Sequence, residues 1–132
     1  MVRYELDGEI GVVVNCHCQY CRRAHGAAFV AIAPVQTGDL RFVAGNDAIQ
    51  EVHTQGVGFR AFCRQCATRL YNRPESTTAL TMLILGSLDE DPPVRPSMHI
   101  NLESKASWYE ILDDLPRFEA LPPSAEAILA DS

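Results

Sequence analysis

A chain of 132 residues, 47% hydrophobic and 21% charged, is the size of one globular domain with enough apolar material for its own core. Its formal net charge of −6 disfavours partners held through a phosphate backbone, so nucleic acid is not expected among them. No apolar run approaches the ~20 residues of a membrane span, and residues 1–30 have no apolar signal-peptide core behind a basic end, so no membrane partner and a cytoplasmic location are expected.

Taken in order, the elements repeat mostly with a period of two. Val2, Tyr4 and Leu6 alternate with Arg3, Glu5 and Asp7 ahead of Gly8, which predicts a half-buried strand ending in a turn. The apolar run 10–14 delivers the chain straight into Cys16, at the kind of strand-to-loop junction where a metal knuckle forms. Residues 22–26 allow at most a short helical turn. Residues 28–34 then read as a buried strand, and further strands are predicted at 40–44, 49–53, 59–62, 79–85 and 98–102, separated by Gly, Pro, Asn and Asp turn signals. Only near the C-terminus is there a fair helix candidate, over 125–130 behind a possible Ser124 N-cap. The fold class is therefore all-β, strand-dominated, as a single domain over 1–132 with a possible short C-terminal helix. Internal repeats and low-complexity tracts are absent from the sequence.

The chemistry is concentrated in the cysteines. All five fall in two tight clusters, Cys16-His17-Cys18-Gln19-Tyr20-Cys21 and Cys63-Arg64-Gln65-Cys66. Thiolates this close, with no other cysteine in the chain, read as ligands for one soft metal, most plausibly Zn²⁺. A disulfide framework would need an oxidising compartment, and neither cluster lies in the βαβ pattern of a redox C-x-x-C. Two arrangements stay open. Cys18, Cys21, Cys63 and Cys66 would make a closed four-thiolate structural site that leaves Cys16 over, although about 40 residues between the pairs exceeds the ~15–20 of a compact zinc ribbon. Alternatively, Cys16, Cys18 and Cys21 would hold zinc by three thiolates and keep the fourth position free for a substrate. Three thiolates around Zn²⁺ carry a net charge of −1, a poor Lewis acid for water but a tolerable holder of an incoming thiolate, which would lose its proton on binding.

The runs from Cys16 to Phe29 and from Phe62 to Leu70, with the later Ser87-Leu-Asp-Glu-Asp-Pro, Pro96-Ser-Met-His-Ile100, Ser104-Lys-Ala-Ser-Trp108 and Leu115-Pro-Arg-Phe-Glu119, resemble the glutathione-dependent formaldehyde-activating enzyme family in order and spacing over nearly the whole chain. The resemblance implies an Mss4-like fold of twisted antiparallel sheets with zinc knuckles. It also implies two zinc sites and carbon–sulfur lyase chemistry, the reversible condensation of formaldehyde with glutathione to S-(hydroxymethyl)glutathione. Cys16, Cys18 and Cys21 match the family's catalytic C-x-C-x-x-C. Cys63 and Cys66 match half of its structural site, whose other half is an early C-x-C-G. That motif is missing here, and Met1-Val2-Arg3-Tyr4-Glu5 looks like the sequence directly following it in relatives; the codons upstream of Met1 are therefore expected to read in frame as C-x-C-G, and the second zinc site is incomplete in this chain.

The partners implied are a small-molecule thiol such as glutathione and a small aldehyde. Arg22 and Arg23 follow the triplet directly and are candidates for binding the carboxylates of such a thiol, against the bland reading of a solvated surface pair. His25, four residues past Cys21, is a candidate for contact with the pocket. Alternation should turn His17 away from the metal, His99 reads as a satisfied structural histidine, and His53 as an exposed strand residue. Gly26 serves either close backbone approach or a turn. Trp108 and Tyr109 can wall a pocket, though a sole tryptophan is more often core or partly buried structure. A second function class, a noncatalytic zinc-stabilised binding domain, stays open because fold does not fix function.

Overall fold

The computed structural model describes residues 1–121, and the helix expected over 125–130 lies outside them. In chain order the strands are β1 Arg3–Leu6, β2 Val13–Cys16, β3 Val30–Gln36, β4 Leu40–Ala44, β5 Ile49–Thr54, β6 Gly58–Cys63, β7 Arg69–Arg73, β8 Leu80–Ile84 and β9 Pro96–Ile100; among the described residues there is one α-helix, α1 Gln19–His25, between β2 and β3, besides four single 3₁₀ turns. Seven strands form one sheet in the order β5-β6-β7-β8-β3-β2-β9, and β1 pairs with β4 in a separate ribbon. The fold is thus strand-dominated, as the period-two pattern predicts. None of the described helices is long and apolar enough to cross a membrane.

The sheet departs from an all-antiparallel arrangement at one place. β2 and β9 run parallel, with Val14 opposite Met98 and Cys16 opposite Ile100. Parallel neighbours need a long crossover, and the whole middle of the chain supplies it. On its other side β2 pairs antiparallel with β3, so all four of its residues are buried. That explains its continuous rather than alternating Val-Val-Asn-Cys sequence.

Two apolar clusters hold the sheet. Val14, Val30, Ile32, Ile84 and Ile100 pack with Cys16 and Cys21 around the triplet, with Met82, Met98 and Phe118 at the edge. Ala61, Leu70 and Tyr71 form the other, covered by Val2, Tyr4 and Phe42 from the β1–β4 ribbon. The parity of β6 separates them: Ala61 and Cys63 share a face with the second cluster, while Arg60, three positions before Cys63, faces the opposite way. The two cysteine groups are consequently served by opposite faces of one strand.

The expectation of only a helical turn after Cys21 is corrected. α1 runs seven residues, because Cys18 in an extended conformation caps its start and Gly26 ends it at φ 60°, donating its N–H to the Arg22 carbonyl. A β-carbon on Gly26 would meet nothing within 4 Å, so the residue serves the turn and not a close approach.

Candidate metal centre

β2 ends on Cys16, and the chain turns through His17 into α1, whose cap is Cys18 and whose first turn carries Cys21. This places the three sulfurs within 4.8 Å of one another. Tetrahedral zinc with Zn–S near ~2.3 Å asks for sulfurs about 3.8 Å apart, so the group can hold a metal ion. Each sulfur also faces an N–H donor group, and Cys21 faces two N–H atoms of one guanidinium. Asn101 Nδ2 reaches Cys16 at 3.3 Å, the Cys21 amide reaches Cys18 at 3.3 Å, and both Nη atoms of Arg60 lie 3.8 Å from Cys21. A thiolate accepts more strongly than a neutral thiol, so these donors favour negative charge on the group as a whole.

The thiols titrate as one unit. Hydrogen bonds from Cys16 and then Cys21 converge on Cys18 and pull it far below the ordinary thiol range. The same sharing pushes Cys16 up, chiefly through Cys18, and Cys21 up through Cys16 and Cys18. Negative charge therefore collects first on Cys18, the least buried of the three.

Cys63 and Cys66 are not in this group. They line a surface cleft with Met1, Val2, Thr68 and Leu70. Burial pushes the Cys63 thiol up, but the amides of Cys66, Val2 and Gln65 and the Cys66 side chain outweigh it and bring it down to about 7. The exposed Cys66 thiol contacts Thr68 Oγ1 at 3.1 Å.

Behind the triplet runs a buried polar chain. His17 is fully buried, and its Nε2 lies 2.8 Å from His99 Nδ1. His99 Nε2 in turn lies 2.9 Å from Asp113 Oδ2. An ionised carboxylate can only accept, so His99 donates from Nε2 and accepts at Nδ1, and His17 donates from Nε2. Phe29 packs on both imidazoles, with ring centroids 5.0 Å from His17 and 5.9 Å from His99. The residue between Cys16 and Cys18 is thereby anchored to β9. His17 points away from the triplet and His99 is a satisfied buried histidine, as alternation and the apolar strand suggest.

The other candidates divide. Arg22 Nη1 donates to the Ser104 carbonyl at 2.7 Å, which ties α1 to the turn after β9. Arg23 is exposed and, together with Arg22, borders a shallow groove lined by Gln19, Gly26, Ala27 and Trp108. Of the two readings of Trp108, core or partly buried structure is corrected, since it is 69% exposed and borders that groove, whereas Tyr109 packs on Phe29. His53 is exposed on β5 beside Glu75. Burial, followed by Arg69 and Arg60, pushes His25 down to about 4 against the opposing pull of Cys18.

That shift has a measurable consequence. The unfolded chain protonates His25 near 6.5 while the folded chain waits until about 4, so stability present above pH 6.5 is lost as the pH falls through this window. His17, pushed down to about 4 mainly by burial, behaves alike. His25→Gln is expected to flatten the dependence of the urea midpoint on pH between 6.5 and 4 by at most one proton's contribution, and by less to the extent that water screens the half-buried ring. An unchanged slope would count against this account of His25.

The sequence model of the glutathione-dependent formaldehyde-activating enzyme family matches residues 1–104. The chain belongs to that family. The match spans the triplet, Arg60, the second cysteine pair and Asn101. A crystal structure of a Rhodobacter sphaeroides protein is similar at a TM-score of 0.54 and 24% identity, covering 70% of this chain and 82% of that one, which shows a shared fold. Within this family member, sequence reading missed Arg60 and Asn101. Arg60 stands on a strand three residues before a cysteine, where only the parity of β6 reveals its side. Asn101 reaches the site through φ 59°, and an Asn directly after a strand is the signal for that left-handed conformation.

Proposed function

We propose that the protein is a zinc-dependent carbon–sulfur lyase that joins, or in reverse splits, a glutathione-like thiol and a small aldehyde such as formaldehyde. The observation that carries this reading is the trio itself: three convergent sulfurs rather than four, each with an N–H donor, in a member of this family. Cys16, Cys18 and Cys21 would hold the ion, which when bound supplies a position where a thiol is deprotonated and kept beside its acceptor. Asn101 and Arg60 hold two of the sulfurs by their donors. His25, four residues past Cys21 and neutral at pH 7, is proposed to contact the pocket, and the arginine-bordered groove with Trp108 to receive the carboxylate end of an anionic thiol. In the reaction a sulfur–carbon bond forms, the carbonyl π pair moves onto oxygen, and the proton lost by sulfur ends there. No oxidant or reductant is consumed. Holding both reactants in line contributes through proximity, for which effective-molarity arguments allow about 7–11 kcal/mol at most.

A noncatalytic zinc-stabilised binding domain would be better served by a closed four-thiolate site, which this trio does not make. Cys63 and Cys66 are proposed as half of a second, structural site, and metal counted at each cluster separately tests it. A reducing compartment such as the cytoplasm, where thiols stay available as metal ligands, is proposed as its place of work.

The experiment is magnetisation-transfer NMR on glutathione, formaldehyde and their adduct at equilibrium. Metal-loaded protein is expected to raise the exchange rate without moving the equilibrium, and chelated protein to leave it at the uncatalysed value. No acceleration by the loaded protein refutes the reading. Arg23→Ala is expected to raise KM for glutathione about tenfold, the low end for a charge-assisted hydrogen bond at an exposed residue, and to leave that for mercaptoethanol within about twofold. Equal changes for both thiols would remove Arg23 from the binding groove.

A further inference from the structure

Of the three donors to the triplet, one is charged. The Asn101 and Cys21 groups are neutral amides, whereas Arg60 brings a full positive charge, with Nη1 and Nη2 equidistant from Cys21 Sγ at 3.8 Å. That symmetric approach puts the sulfur between the prongs of the guanidinium fork, the geometry in which arginine meets an anion. Arg3, Arg41 and Arg73 each pair with a carboxylate, but among the described residues no carboxylate pairs with Arg60. Its charge is thus committed to the cysteine side, in a half-buried setting where repulsion between like charges is poorly screened.

We infer that Arg60 is the specificity-determining residue that admits an anionic fourth ligand to the Cys16–Cys18–Cys21 centre and so sets its preference for thiols over neutral ligands. The inference rests on the metal-centre reading above. Three thiolates around a divalent ion carry −1, which the guanidinium cancels. A thiol entering as thiolate, its proton passing to the buffer, then raises the local charge only to −1. With Arg60 neutralised it would reach −2. A neutral ligand such as imidazole changes the charge in neither case, so the residue acts on one class of ligand and not the other.

Cobalt(II)-loaded protein tests this, because its visible bands report a change of fourth ligand without turnover. Wild type and Arg60→Gln are titrated with mercaptoethanol and, separately, with imidazole. Arg60→Gln is expected to weaken mercaptoethanol binding at least about tenfold, the effect of one charge-assisted hydrogen bond, and imidazole binding less than about twofold. Arg60→Lys, which keeps the charge and loses the fork, is expected to fall between. Equal weakening of both ligands, or no weakening, overturns the assignment while leaving the metal-centre reading intact. Wild-type protein that takes up no cobalt at the triplet sinks both. Arg60→Met, which keeps the apolar stem, is read in the same way should circular dichroism show Arg60→Gln to be unfolded.

Discussion

Cys18→Ser is expected to strip the triplet of its metal. Cys18 is the cap of α1, accepting the Cys21 amide, and the sulfur on which the shared negative charge settles. A serine oxygen can still cap the helix, so the change removes the ligand and spares the fold. Zinc in four-ligand peptides has an apparent binding free energy of about 10–16 kcal/mol, or roughly 3 kcal/mol per ligand, so affinity should drop at least about a hundredfold. Metal per chain after dialysis against a chelator, with circular dichroism as the check on folding, reads this out. Unchanged metal content would show that the triplet is not the site.

His99→Ala should be the most destabilising change in the buried polar chain. It leaves the His17 Nε2 donor without its partner in a fully buried place and opens a hole between Phe29 and β2. An orphaned donor costs about 1–3 kcal/mol and the lost ring about 2–3 more, together about 4 kcal/mol, which for a domain of this size is roughly 12 °C in Tm. Asp113→Asn should cost far less, since the side chain is 48% exposed and an amide oxygen still accepts from His99. Burial pushes Asp113 up, but the larger pull of the His99 hydrogen bond holds it below the usual carboxylate range, so its contribution is present above the unfolded carboxylate pKa and lost as the pH falls through the folded one. Urea melts of both variants check the ranking; a larger loss from Asp113→Asn would mean that the strength of the chain lies at its exposed end.

Much of this was legible in the sequence because apolar alternation survives wherever a strand has one buried face. The predicted strand over 40–44 coincides with β4, and the strand over 49–53 lacks only the last residue of β5. β7 was missed for a physical reason. A bulge shifts its register on β6 so that consecutive Leu70 and Tyr71 are both buried in the same cluster, which erases the period of two. The predicted strand over 10–14 begins too early, because Gly11 is held by the Pro34 carbonyl at 2.8 Å before regular pairing starts at Val13. For the site, ligand spacing in the triplet was local information and could be read directly. Arg60, Asn101, His99 and Asp113 come from far along the chain, and only strand order brings them to residues 16–21.

The parallel pairing of β2 with β9 also sets the order in which the centre can be completed. Asn101 follows Cys16 by 85 positions. At about 5–20 residues per second, a ribosome exposes the thiol trio roughly 4–17 s before it delivers the strand that flanks it and the amide that steadies Cys16. During those seconds soft thiolates face the cell's free metals with little geometry imposed on them, and intrinsic affinity then favours copper over zinc. If the trio takes up an ion as proposed, the choice of ion would depend in part on what is available while the chain is still being made.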